Sequence, residues 1–219
     1  MTSRSRLART GLILGSVLFL SCGPPDQSSL QTDVGARSLT LYATYNRQVA
    51  EEGSWHLLVF RDSENGANAF FRTLVSPERF HQALLDLGGK PGDNMTADNM
   101  SSPTAATAGS KLEMTVSWEG SPKTYRLDQI LDEPTDLAGG GPRGVDLRFG
   151  GNRTHPVGEN PSDTTGCLAC LYSCPSGVAS NAAANDSLHQ KDGFWRYRAN
   201  SALLPSDGTR VKIGLSLRD

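Results

Sequence analysis

An α+β domain is what this 219-residue sequence predicts: a mainly antiparallel sheet with one well-defined helix and a short cysteine-bearing helix or turn. Three observations lead there. Ser38–Tyr45 and Lys111–Trp118 alternate apolar and polar residues with period two, as half-buried strands do. Helical periodicity is concentrated in one segment, Ser76 to Gly88. Strands that follow one another without regular intervening helices argue against a doubly wound parallel sheet.

The chain opens with Arg4, Arg6 and Arg9, followed by an apolar run from Leu12 to Leu20. A bilayer core takes about 20 apolar residues, so this shorter run has the form of an export signal over residues 1–21. It ends in Ser21-Cys22, which resembles a lipobox, where the cysteine is lipidated and becomes the new N-terminus. Residues 22–37 are polar and include Gly23-Pro24-Pro25, as a lipidated tether would. Residues 38–219 remain as a single domain, a length that one core can serve. The expected setting is the extracytoplasmic cell envelope, with the membrane engaged through lipid on Cys22 and a protein partner nearby. Loss of residues 1–21 moves the formal net charge from -2 to -5, because only arginines are lost. No basic face remains to neutralise phosphates, which argues against nucleic acid as a partner.

Within the domain, Ser38–Tyr45 and Trp55–Phe60 read as the first strands. Ser76 suits an N-cap, Pro77 the first helical position and Gly88 the C-terminal cap, while Phe80, Leu84 and Leu87 share one helical face that packs on the sheet. Residues 89–110 are small and polar without periodicity, a long loop. Lys111–Trp118, a turn at Glu119–Pro122 and Lys123–Ile130 form a hairpin. Val145–Phe149, Phe194–Arg198 and Thr209–Leu217 complete the strands.

Most motifs that suggest chemistry fail on their details. Gly88-Gly89-Lys90-Pro91 lacks the hydroxyl that a phosphate loop places on magnesium, and reads as a helix stop and turn. The Gly139–Gly144 loop precedes a strand rather than a helix, so it is a connector, not a dinucleotide fingerprint. No G-x-S-x-G nucleophile elbow occurs. Asp128, Asp132, Glu133 and Asp136 lack the spacing of a calcium loop and read as a solvated face. His56, His81, His155 and His189 are scattered. Of these, His155 lies twelve residues before the first of three clustered cysteines and is the first to test as a supplementary metal ligand, with a plain surface side chain as the preferred reading. No base, nucleophile and orienting group can be assembled, so no catalytic residue is assigned and the reading leans away from an enzyme.

The reactive side chains are concentrated in Gly166-Cys-Leu-Ala-Cys-Leu-Tyr-Ser-Cys-Pro175, where Cys167, Cys170 and Cys174 are spaced C-x2-C-x3-C-P. A bacterial ferredoxin run has this ending, but its first cysteine corresponds here to Thr164, and no second run supplies further ligands. Zinc, held by three thiolates and a histidine or carboxylate, is the simpler metal. A disulfide suits an oxidising compartment. Were residues 167–174 helical, Cys170 would reach either neighbour, whereas Cys167 and Cys174 would lie about 10 Å apart along the axis, beyond disulfide reach. Leu171 and Val178 would then share the face of the sulfurs, so a small inert core is a third reading. Disulfide or redox pairing and the inert core rank together, above metal.

In sequence order, His56-Leu-Leu-Val-Phe60, the helix Phe80–Asn94, Asp146-Leu-Arg-Phe-Gly-Gly151, Cys170-Leu-Tyr-Ser-Cys-Pro175 and Asn181-Ala182 resemble the YdjY-like domain family of bacterial proteins, from about His56 to Leu217. The family's activity is not established, so the resemblance implies a domain type and no reaction. It also implies that the cysteine segment belongs to the domain. The resulting expectation is an exported, lipid-anchored accessory or binding lipoprotein with a structural or redox-active cysteine segment, requiring no cofactor. The alternative is an electron-transfer or metal-carrying protein holding an iron–sulfur cluster or zinc through Cys167, Cys170 and Cys174.

Overall fold

The computed structural model describes residues 26, 28–132, 144–152, 165–185 and 196–218. In chain order its strands are β1 (Leu30–Asp33), β2 (Ser38–Tyr45), β3 (His56–Phe60), β4 (Ala69–Thr73), β5 (Lys111–Trp118) and β6 (Tyr125–Arg126). They continue as β7 (Leu131–Asp132), β8 (Leu147–Phe149), β9 (Cys167–Cys170), β10 (Ala179–Asn181), β11 (Arg198–Ala199) and β12 (Arg210–Arg218). Three short α-helices interrupt them: α1 (Arg47–Glu52), α2 (Pro77–Asp86) and α3 (Leu127–Ile130).

Eight strands close into a barrel in the order β2-β12-β5-β8-β10-β9-β3-β4, with β4 returning to pair with β2. The α+β expectation is therefore corrected: the sheet closes on itself instead of remaining open for a helix to cover. Pairing is mixed, since β9–β10 and β3–β4 are parallel while the other neighbours run antiparallel. Closure removes unpaired edges from these eight strands, and it depends on contacts that local periodicity does not report.

The most regular wall is β2–β12–β5. Registers align Leu39 with Leu215 and Met114, and Leu41 with Ile213 and Val116, so apolar rows run across three strands. All six are buried, and the neighbouring residues Thr40, Gly214 and Thr115 occupy the alternate row. Helix α2 forms where its end signals stand. The Ser76 hydroxyl accepts from Arg79 N–H at 3.3 Å, and Gly88 takes φ 81°, which glycine adopts without side-chain strain. Phe80, Leu84 and Leu87 join the barrel's core cluster.

Residues 89–110 are a loop closed by a bridge between Pro91 and Gly109. The second arm of the expected hairpin is divided: only β6 pairs with β5, and Leu127–Ile130 turns into α3. The cysteine segment departs further. Cys167–Cys170 is strand β9, pairing with β3 and β10, and not a helix.

Candidate metal centre

Side chains alternate across a strand, so two cysteines three positions apart would ordinarily point to opposite faces. Strand β9 escapes that rule through its irregular pairing with β3. Val59 pairs with Cys167, Leu58 with Ala169 and His56 with Cys170, with register shifts between successive pairs, as at a β-bulge. Leu168 and Ala169 consequently belong to the main core, whereas Cys167 and Cys170 join a separate small cluster with Val59, Ala69 and Cys174. Leu171 and Val178 lie in the main core, not with the sulfurs, which corrects the shared stripe expected of a helix. The axial separation inferred between Cys167 and Cys174 falls with the helix.

The chain then turns back. Leu171 N–H donates to the Trp55 carbonyl at 2.7 Å, and Cys174 comes to rest beside Cys170, its sulfur accepting from Ser176 N–H at 3.3 Å. Gly177 passes so close that a Cβ there would lie 2.9 Å from the Cys170 sulfur and 2.8 Å from the Ala179 carbonyl oxygen. Only glycine leaves the sulfur its space.

His56 completes the group from the start of β3. Its Nδ1 lies 3.5 Å from Cys167 Sγ, and the ligand atoms of His56, Cys167 and Cys170 all fall within 4.8 Å of one another. All three cysteines are buried free thiols, while His56 keeps part of its surface exposed. Next to it, the Arg196 guanidinium sits 4.9 Å above the Trp55 ring.

The sulfurs divide the protons unequally. The hydrogen bond from Cys170, opposed by burial and helped by His56, brings Cys167 down to about 5. Cys170 is pushed up, because it hydrogen-bonds to both Cys167 and Cys174 and is fully buried. Cys174 is lowered, first by Cys170 and, against its burial, by Tyr172 and the Ser176 N–H. Burial works against the His56 imidazolium, but the Cys167 sulfur outweighs it and raises the histidine. The arrangement favours the proton on Cys170 and the thiolate on Cys167, which faces His56. Thiolate is also the form that binds metal, and thiolates with neutral imidazole form a donor set for zinc and other thiophilic ions.

Cys22 and His155 lie outside the described residues, as do residues 1–21. The histidine brought to the cysteines is His56, 111 residues before Cys167 in sequence. No spacing rule links such positions, since only β3–β9 pairing joins them. The sequence offered one weak signal, a polar residue heading the apolar run Leu57–Phe60. Of the remaining candidates, His81 is buried edge-on against Phe149, and Asp128 pairs with Arg126 at 2.8 Å. Glu133, Asp136 and His189 are outside the described residues.

A family model, the YdjY domain, matches residues 30–216. The chain belongs to the YdjY domain family. It is 33% identical over 197 residues, 90% of this chain and 82% of the relative, to the uncharacterized protein YdjY of Escherichia coli (strain K12). No solved structure matches. Within this YdjY domain the thiol cluster occupies β9 and the turn after it, and among the described residues no helix is long and apolar enough to cross a membrane.

Proposed function

We propose that this is an exported, lipid-anchored protein of the cell envelope whose YdjY domain binds one thiophilic metal ion, with zinc as the reference ion, through His56, Cys167, Cys170 and Cys174. The observation that carries the reading is the gathering of His56, Cys167 and Cys170 ligand atoms within 4.8 Å. Zinc bonds of about 2.3 Å to sulfur and about 2.0–2.1 Å to nitrogen place neighbouring ligands on one ion roughly 3.5–3.8 Å apart. The 3.5 Å between Cys167 and His56 already suits that geometry. So small a spread fits ligands on a single ion better than ligands spaced around an iron–sulfur cluster. Three thiolates and one neutral imidazole make up a Cys3His zinc donor set.

The site is suited to carrying an ion more than to holding the fold together. The barrel has its own large core, the thiols form a separate cluster beside it, and His56 leaves one ligand near solvent. Zinc and cobalt(II) titration of the reduced protein, with metal analysis of anaerobic preparations, tests this. One tightly bound ion, lost in Cys170→Ser, supports the reading, and its absence rejects it.

The Cys167–His56 contact favours a second reading, a redox-active Cys167–Cys170 pair in which the lowered thiol of Cys167 attacks. One free thiol in the denatured, unreduced protein, without metal, would select it. Export and anchoring rest on Arg4, Arg6, Arg9, the Leu12–Leu20 run and Cys22. A Cys22→Ser variant should leave the membrane fraction and lose incorporated fatty acid.

A further inference from the structure

Asn181, at the end of β10, is fully buried and uses its whole hydrogen-bonding capacity. Its Nδ2 donates to the Leu171 carbonyl at 3.2 Å and to the Tyr197 hydroxyl at 2.9 Å. Its Oδ1 accepts from Asp146 N–H at 2.9 Å and Ala183 N–H at 3.1 Å. A side-chain amide has two donor and two acceptor positions in one plane, so no bond is left unmade.

Two of these bonds lead to opposite sides of the metal centre. Leu171 directly follows Cys170, and its own N–H is bound to the carbonyl of Trp55, the residue before His56. Tyr197 accepts Ser54 N–H on its backbone carbonyl at 2.9 Å. The Ser54 hydroxyl in turn accepts His56 N–H at 3.0 Å and donates to the Asn68 carbonyl at 2.6 Å. The path therefore closes: Asn181 to Leu171, to Trp55, along the chain to Ser54, to Tyr197 and back to Asn181. His56 hangs from one side of this ring and Cys170 from the other.

We propose that Asn181 and Tyr197 are positioning residues for the metal centre, holding His56 in register with Cys167 and Cys170. The assignment rests on the metal reading for its ligand and on the hydrogen-bond ring for its geometry. Positions beyond the ligand shell that orient ligands commonly change metal affinity by about 10–100-fold. The same range is expected here.

The decisive variant is Tyr197→Phe, which keeps the ring's packing and removes only the hydroxyl. Cobalt(II) titration of the reduced protein should show affinity reduced at least about 10-fold, with thiolate-to-cobalt absorption retained and the visible bands shifted toward those of His56→Ala. Because both changes act through the histidine, Tyr197→Phe combined with His56→Ala should bind no more weakly than His56→Ala alone. Unchanged affinity in Tyr197→Phe, or losses that add in the double variant, would overturn the proposal. Should Tyr197→Phe not fold, Ser54→Ala breaks the same ring beside His56 and is held to the same outcomes. If the wild-type protein binds neither cobalt nor zinc, the metal reading fails by itself. Amide hydrogen exchange then decides positioning: faster exchange at His56 and Leu171 in Tyr197→Phe, with Ile213 and Val116 unchanged, supports it, and a uniform change or none rejects it.

Discussion

The two sides of the barrel are built differently. On β2–β12–β5 the strands are long, the registers continuous, and the alternate residues buried. On β8–β10–β9–β3 they run three to five residues, include a parallel pair, and shift register opposite the cysteines. The regular side does what alternation encodes, burying apolar rows. The irregular side uses its departures to place side chains that alternation would separate. Cys167 and Cys170 share a cluster because β9 is not an ideal strand, and that irregularity is affordable beside a barrel whose core is complete without the sulfurs.

If that division of labour holds, the largest loss of stability comes from the regular wall. Ile213 is fully buried between Leu41 and Val116. Ile213→Ala should cost about 2–5 kcal/mol in urea unfolding, a large part of the roughly 5–15 kcal/mol available to a domain. Cobalt affinity under native conditions should stay within about twofold, because distant sites act independently. A parallel loss of affinity would mean that the two walls are one mechanical unit.

Gly177→Ala tests the opposite side. Its added Cβ meets Ala179 O and Cys170 Sγ below ordinary contact distance, so backbone or sulfur must move. Overpacking of this kind costs on the order of 1–3 kcal/mol. Here the metal should be lost while amide exchange on β12 and β5 remains slow. Tight metal binding in Gly177→Ala would show that the sulfur has space the structure denies it.

The contrast also explains what was legible. Helix α2 could be read because Ser76, Pro77, Gly88 and the Phe80–Leu84–Leu87 face act within one short segment. Strands β2, β5 and β12 could be read from alternation. Barrel closure could not: it passes through Ala43–Thr73, Thr44–Arg72 and Tyr45–Phe71, a three-residue register that no local pattern announces. Cysteines spaced three and four apart look helical, and a bulged strand followed by a turn brings together the same spacing. His56 stayed hidden because its partner is a whole strand pairing away.

A pH-dependent effect distinguishes the thiol side again. A thiol lowered in the folded protein supplies stability above its unfolded value and loses it as pH falls through its folded value. For Cys167 that window runs from the ordinary thiol range down to about 5. Across it, unfolding of the metal-free protein takes up a proton. The stability difference between wild type and Cys167→Ser should shrink on acidification by up to about 1.4 kcal/mol per pH unit. Cys170 has the opposite sign, since a raised thiol stabilises below its ordinary range and ceases to as pH rises, so Cys170→Ser should differ most from wild type at lower pH. Parallel pH curves for all three proteins would show that the sulfurs do not share protons as their contacts indicate.

The smallest effect concerns the helix that adjoins both sides. Helix α2 gives Phe80 and Leu84 to the main core and also lies against β9. Its Ser76 cap satisfies Arg79 N–H, one of the donors left unpaired at a helix start. Ser76→Ala should cost about 1 kcal/mol, read by denaturation, by leaving that donor to water and loosening the first turn. Pro77 still presets the backbone, so the helix should persist. If α2 supports only the core, cobalt affinity is unchanged and the loss appears in global stability alone. If affinity falls several-fold while the stability loss remains near 1 kcal/mol, the thiol strand takes its position partly from α2. The irregular wall would then owe its geometry to a helix on the far side of β9 as well as to the hydrogen-bond ring around Asn181.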